Sequence, residues 1–563
     1  MKYSKLFGKS RYHISQQISH ISHKYLLKGG FIAESVAGRY YFLPLGLKVR
    51  YKIMDIIREE MNKIDGQEMI TPVLHPIELW KETNRTDSVG FELMMTQDRR
   101  GREFALGGTA EEMFVDVVRQ YNLSYKDLPF CLYQFSTKFR DELRARGGLL
   151  RAREFVMKDA YSFHTDKDDF EQYYQQVSKT YSKIFSRLGL DSLEVPADNG
   201  YIGGDYCHEF QVESEIGEGR FFVSEDGNYI AHEDIATFKR EEINPEDELA
   251  EFTIIDQPEW VHSMDDNVKH YGLPKSRFLK NVVYRNNTTG ELIIAVIRGD
   301  LDVNKNKLEH VLDAVGQLEE ASEEDLASIG TKPGYVHSWG HEGVYYIGDL
   351  SLTTVHNFIG GQKTETTDSK NVNYERDFEC EQLADLAMAE EGFLTEDGQS
   401  KLIEKQGIEV GNIFQLGCHY SHKMAGAEYT DQNGQAQSLY MGCYGIGLGR
   451  TMATIVEKHH DDKGIIWPKN LAPYQAYLID IGLDREAVEK IYRQLLKQGI
   501  DVLWDDRDES PGVKFKDADL LGIPYRLVIS PKTEDKIELK ERTADKATLL
   551  SVNEVITKIT KQK

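Results

Sequence analysis

Cysteine is scarce: the 563 residues contain five, at 131, 207, 380, 418 and 443, and none forms a C-x-x-C pair. That excludes a disulfide framework and a zinc ribbon. Cys207-His208 and Cys418-His419 are adjacent pairs, and neighbouring side chains rarely point at one ion, so no protein-built metal site is expected. Apolar runs long enough to cross a bilayer are missing. The opening MKYSKLFGKSRYHIS lacks the apolar stretch of a secretory signal. No glycine-rich segment is followed by G-K-[ST], which excludes a P-loop ATPase. A reducing, cytoplasmic compartment without membrane contact is the expectation.

Charge is plentiful but uneven. The formal net charge is −25. Residues 224–410 alone hold 16 Lys and Arg against 39 Asp and Glu. Nearly all the acidity therefore belongs to one internal block, which reads as a separate module. The flanking regions are close to neutral and are free to carry basic patches.

The length exceeds a single core, so several domains are expected. Residues 47–64 repeat apolar side chains at helical spacing, with Asp65-Gly66 as a stop. EMITPVLHP follows as a strand interrupted by Pro72, which predicts an edge, a bulge or an interface element. Residues 131–139 and 152–162 predict two antiparallel strands joined by a long turn, and 170–188 a helix. Inside the acidic block, NVVYR-NNTTG-ELIIAVIRG reads as a hairpin, followed by helices over 304–314 and 319–328. From residue 474 strands and helices alternate, which predicts a small sheet with helices packed on it.

Two segments carry the chemistry. FRDELRARGGLLRAREF, residues 139–155, crowds five arginines into a glycine-broken turn. An arginine fork meets phosphate through two hydrogen bonds, so this turn suits a triphosphate or a nucleic-acid end; a solvated turn with its arginines paired to Asp141, Glu142 and Glu154 fits the composition equally. GCYGIGLGRTMATIVE, residues 442–457, alternates glycines and then opens a helix at Arg450; read alone it fits a close-packed strand–helix junction, or a strand packed under a ligand at an electropositive helix start.

Taken together, F-R-D-E, R-x-R-E-F and the glycine strand ending in G-R resemble motifs 2 and 3 of the class II aminoacyl-tRNA synthetases. The segment around Pro72 resembles motif 1, which builds the dimer interface in that class. LGGTAEE (106–112), MKDAYSFH (157–164), HEFQ (208–211) and IFQLGCHYS (413–421) narrow the resemblance to prolyl-tRNA synthetases of the bacterial type. It covers nearly the whole chain, in order.

The resemblance implies an α/β and α+β multidomain fold: an antiparallel-sheet catalytic core over 1–223 and 411–473, an α+β editing insertion over 224–410, and an α/β anticodon-binding domain over 474–563. It implies an ATP-dependent ligase that joins proline to tRNA(Pro) through prolyl-adenylate, as a homodimer, with Mg²⁺ on the ATP phosphates. Arg140 would hold the α-phosphate, Arg151 and Arg450 the outer phosphates. Phe155 would stack on adenine, and Glu142, two residues beyond Arg140 on the same strand face, would accept from its amino group. Thr109 and Glu111 match the T-x-E loop that neutralises the substrate ammonium; read from the residues alone, they equally fit a helix cap with a first-turn acid. His208, Glu209, Gln211 and Cys443 would line the amino-acid pocket or position ATP and magnesium. In the insertion, Lys280 and Asp349 match the deacylase that clears alanyl-tRNA. In the last domain, Arg507, Glu509, Lys514 and Lys516 are candidates to meet the anticodon. A sister enzyme for another amino acid, such as threonine, and a non-catalytic tRNA-binding protein are the alternatives. The chain departs from the usual pattern at Gly108-Thr109-Ala110-Glu111, at Gly147-Gly148, at Asn84-Arg85-Thr86, at Gly449 and at Asp368, where the insertion commonly has histidine.

Overall fold

The computed structural model describes residues 1–86, 93–362, 364–482 and 485–561. Its centre is a nine-stranded sheet. The strands are β1 (Gly66–Glu68), β2 (Phe130–Phe139), β3 (Glu154–His164), β4 (Leu193–Ala197), β5 (Tyr206–Glu213), β6 (Gly219–Ser224), β7 (Ile230–His232), β8 (Leu402–Gly417) and β9 (Tyr440–Gly447). Their order is β4-β5-β8-β9-β3-β2-β1, with β6 on β8 and β7 on β6. All pairs are antiparallel except β1 with β2. The insertion leaves after β7 and returns through β8, so the expected boundary at residue 410 falls inside a core strand.

The core helices are α1 (Ile21–Lys28), α2 (Pro44–Asn62), α3 (Glu111–Val118), α4 (Lys167–Arg187) and α5 (Leu448–Lys458); α1, α2, α4 and α5 cover one face of the sheet and α3 lies on the other. Val49, Ile53, Ile57 and Met61 of α2 pack with Tyr181 and Phe185 of α4 and Met452 of α5 in one buried core; α3 belongs to a second core around Tyr161 and Tyr420. Pro44 starts α2 three residues before the expected point, since its fixed φ suits a first helical turn. Asp65, not Gly66, takes the left-handed conformation after it, with φ 58°. Pro72 lies between β1 and the short strand Leu74–Pro76, where no ladder bond is lost.

Within the insertion, the expected hairpin pairs Leu279–Asn286 with Leu292–Arg298. Val344–Asp349 then joins in parallel to the second of these strands. The helix expected over 319–328 is shorter, Glu323–Ser328, because residues 318–320 pair as a strand and Ser322 caps the helix start. The C-terminal unit is a five-stranded sheet. It carries a helix over Arg485–Lys497 and another, α6, over Pro511–Leu521. The first residues of the chain strap this unit to the core: Ser4 N–H donates to Asp506 at 2.8 Å and Trp504 N–H to the Met1 carbonyl at 2.9 Å.

Candidate active site

Side chains alternate along a strand, and that alternation divides the core sheet into two chemistries. On β3, Lys158 and Ala160 face the helices; Phe155, Met157 and Asp159 face a cavity of about 250 Å³. On β9, Tyr444 and Ile446 face the helices while Cys443, Gly445 and Gly447 face the same cavity. Glycine is needed here for room: a Cβ on Gly445 would stand 2.8 Å from the Asn412 side-chain oxygen.

Arg140 and Arg450, 310 residues apart in sequence, both line this cavity. Arg140 follows the last residue of β2. Its Nε donates to the Gly108 carbonyl at 3.3 Å, and its guanidinium lies 5.5 Å from the centre of the Phe155 ring. Arg450 sits in the first turn of α5. It donates to the Leu150 carbonyl at 3.0 Å and pairs with Glu409 at 2.8 Å.

The turn between β2 and β3 is built from its own arginines. Arg153 braces it by donating to the Glu142 carbonyl at 2.7 Å. Arg151 pairs with Glu142 at 2.7 Å and with Glu218 at 3.0 Å, and Arg146 also meets Glu218. Glu142 lies beyond the strand end, so it does not share a strand face with Arg140 as expected; it enters the cavity from the turn. Gly147 and Gly148 have φ of 65° and 67°, the left-handed region that glycine enters without strain.

At the floor, Glu111 is wholly buried. It accepts from Thr109 Oγ1 at 2.7 Å and Cys443 Sγ at 3.2 Å, and pairs with Arg85 at 3.2 Å. Burial alone would push its carboxyl up, but Arg85, Thr109 and Cys443 hold it below the usual carboxylate range. Arg85 also binds Glu112 at 2.8 Å, and burial keeps Glu112 above the usual range. The helix cap is Ala110 with no side-chain bond, so Thr109 does not cap α3; its hydroxyl is spent on Glu111. Sequence reasoning noted Arg85 only as a departure from pattern. Nothing near it in the chain announces a partner 26 residues away.

A second cavity, of about 330 Å³, adjoins the first and shares Glu142, Arg151, Glu209, Glu409 and Arg450 with it. Gln211 donates to Glu209 at 2.7 Å, and its own oxygen is buried without a partner. Burial and the nearby Glu409 push the Glu209 carboxyl up to about 7. His232 is lifted to about 9: burial opposes its charge, but Asp234 and Glu209 outweigh it. His208 is a correction. One residue from Glu209, it points to the opposite face, where its ring meets the Tyr174 hydroxyl at 2.7 Å. Among the described residues no three His, Cys, Asp or Glu side chains converge as a metal cage.

In the insertion, Lys280 lines a cavity of about 500 Å³ together with Asp302 and Asp368, and pairs with Asp302. Asp368 accepts from Tyr271 at 2.6 Å and Gln257 at 2.7 Å, and burial raises its pKa. Asp349 is a second correction. It lies buried outside that cavity, bound to Arg240 at 3.1 Å and to the N–H groups of Ser351, Leu386 and Ala387, which is the work of a structural carboxylate. In the C-terminal unit, Arg507 is tied to Asp505 and Asp517 at 2.7 Å and stacks on Tyr3. Lys514 is buried on Asp480 at 2.7 Å. Both serve the scaffold rather than an open surface, whereas Glu509 and Lys516 are exposed.

Residues 91–459 match the tRNA synthetase class II core domain (G, H, P, S and T), and 475–562 match an anticodon binding domain. The proline–tRNA ligase of Dehalococcoides mccartyi (strain ATCC BAA-2266 / KCTC 15142 / 195) is 40% identical over 567 residues, covering 99% of this chain and 98% of its own. That of Bacillus subtilis is 40% identical, covering 96% of each chain. That of Sulfurihydrogenibium is 42% identical, covering 96% of this chain and 95% of its own. A solved prolyl-tRNA synthetase of Cryptosporidium parvum, complexed with halofuginone and AMPPNP, shares the fold with a TM-score of 0.57 at 14% identity, over 96% of this chain and 76% of its own. With both domains matched in one chain and the relatives aligned over nearly their whole length, the chain belongs to the proline–tRNA ligases of the class II aminoacyl-tRNA synthetases.

Proposed function

We propose that this chain activates proline with ATP and transfers it to tRNA(Pro). The observation that carries the reading is the convergence of Arg140, Arg450, Phe155 and Glu111 on one cavity. In the first step a proline carboxylate oxygen attacks the α-phosphorus in line; the bond to the bridging oxygen breaks, and pyrophosphate leaves. In the second, a terminal ribose hydroxyl of the tRNA attacks the prolyl carbonyl, and AMP leaves. Neither step needs a nucleophilic side chain; both need positioning and charge stabilisation. Arg140 neutralises the α-phosphoryl oxygens, and Phe155 offers its ring to adenine. Arg450 and Arg151 turn from Glu409 and Glu142 to the outer phosphates. Glu142, freed in part, accepts from the adenine amino group. Glu111, kept ionised by Arg85, takes the proline ammonium beside Thr109 and Cys443.

Magnesium favours oxygen donors and keeps phosphates among its ligands. Glu409, Glu209 and the unpartnered Gln211 oxygen fit that demand and would hold it; bound there it would neutralise phosphate charge. ATP–pyrophosphate exchange with proline, alanine and threonine in parallel tests the reading. Proline should be favoured by a wide margin, and a preference for threonine would reassign the enzyme.

Editing of alanyl-tRNA(Pro) is assigned to the insertion cavity. A pocket shaped for proline rejects the smaller alanine by only about 1–3 kcal/mol, so a second sieve is required. Lys280→Ala should slow hydrolysis of alanyl-tRNA(Pro) while sparing exchange; unchanged hydrolysis would remove Lys280 from that site. Anticodon contact is assigned to the exposed Glu509, with Lys516 on the neighbouring backbone phosphates. The homodimer is assigned to the motif 1 face, where Tyr51, Ile70 and Leu74 are 51%, 73% and 45% exposed.

A further inference from the structure

Residues 1–33 hold six Lys and Arg and not one Asp or Glu, in a chain of net charge −25. The segment is folded, with Tyr3, Leu6, Tyr25 and Leu26 buried. Its α1 places His20, at the helix cap, then Lys24 and Lys28 at four-residue intervals, along one face.

The two ends of that face reach different places. His20 lines the second cavity beside Gly147 and Arg151, at the nucleotide turn. Roughly 6 and 12 Å further along the helix axis, Lys24 and Lys28 line a separate cleft of about 500 Å³ with Lys463 and Lys516. This cleft lies between α1, the loop after α5, and α6 of the C-terminal unit. Two carboxylates face it, Asp462 and Asp519, and Asp519 already meets Arg526 at 3.5 Å. Among the described residues none of the four lysines is paired with a carboxylate; Lys516 instead lies 4.2 Å over the Tyr12 ring. The ammonium groups crowd one another: burial first, then Lys24 and Lys516, lower the pKa of Lys28.

We propose that this lysine cleft grips the backbone of the tRNA between its acceptor end and its anticodon. The inference rests on the proposed function. Lysines are point charges that suit phosphate without reading sequence, and released counterions supply the affinity. RNA is favoured over a free anion because the cations form a row from the nucleotide turn to the C-terminal unit, not a closed cage.

The test is aminoacylation by the full-length Lys24→Glu/Lys28→Glu/Lys463→Glu protein. KM for tRNA should rise at least about tenfold, and the slope of log affinity against log salt should fall by about 2 for three lost phosphate contacts. ATP–pyrophosphate exchange with proline should be unchanged. The matching Lys→Gln variant should give a smaller effect in the same direction, which keeps the test valid if the glutamates disturb folding. Unchanged KM and salt slope in both variants would overturn the proposal, as would tight binding of inorganic tripolyphosphate at the cleft with no effect on tRNA. Loss of proline exchange in the unmodified protein would instead overturn the functional reading.

Discussion

A carboxylate can hold its charge in a dry site only if something compensates it, and Glu111 and Glu209 show the two outcomes. Glu111 has Arg85, Thr109 and Cys443 and stays ionised. Glu209 has another carboxylate nearby, Glu409, and is pushed up to about 7. The folded state therefore binds the Glu209 proton more tightly than the unfolded chain does. Its contribution to stability is complete below the unfolded pKa and is lost as pH rises from about 4.5 through 7. Glu209→Gln should thus flatten the fall in thermal midpoint between pH 5 and 8, measured by calorimetry; an unaltered pH profile would contradict the assignment. The residue scale is also where sequence was hardest to read. His208 and Glu209 are neighbours in one recognisable motif, yet strand alternation sends them to opposite faces. Asp349 looked like a site acid because its motif lay in the right order, but Arg240, 109 residues earlier, claims it. Arg85 was nearly invisible because its meaning comes from a carboxylate brought close only by folding.

Elements were far more legible. The apolar period of α2, the arginine hairpin and the glycine strand each appear where their patterns put them, since periodicity is a local property. Ends were less certain, because caps decide them: Ser322 shortens one helix and Pro44 lengthens another. The β2–β3 turn makes a specific prediction. Gly148→Ala imposes a left-handed alanine, costing about 1–2 kcal/mol, and its Cβ would stand 2.7 Å from the His23 ring. The turn that carries Arg151 and Glu142 should be displaced, raising KM for ATP several-fold in exchange assays while the thermal midpoint falls slightly. An unchanged KM would mean that the turn does not order the nucleotide.

At the scale of the molecule, uneven charge marked out the acidic insertion, which the chain enters after β7 and leaves into β8; its Ile297 and Leu301 share a buried cluster with Phe222 and Ala231 of the core sheet. What composition could not convey is how the ends meet: residue 1 packs on residue 504, so the first segment joins the last domain. The motif 1 face predicts assembly. Ile70→Asp/Leu74→Asp should shift the protein from dimer to monomer in sedimentation velocity, with exchange activity reduced; a mass that stays dimeric would place the interface elsewhere.

The central claim is that Arg140 acts on the phosphoryl group at which proline reacts. ATP–pyrophosphate exchange with proline, comparing the unmodified protein with Arg140→Ala, measures it directly. The account predicts robust exchange in the first and a loss of at least about a hundredfold in the second, with unfolding midpoint and sedimentation behaviour preserved. Exchange at the unmodified rate in a folded Arg140→Ala protein would contradict it.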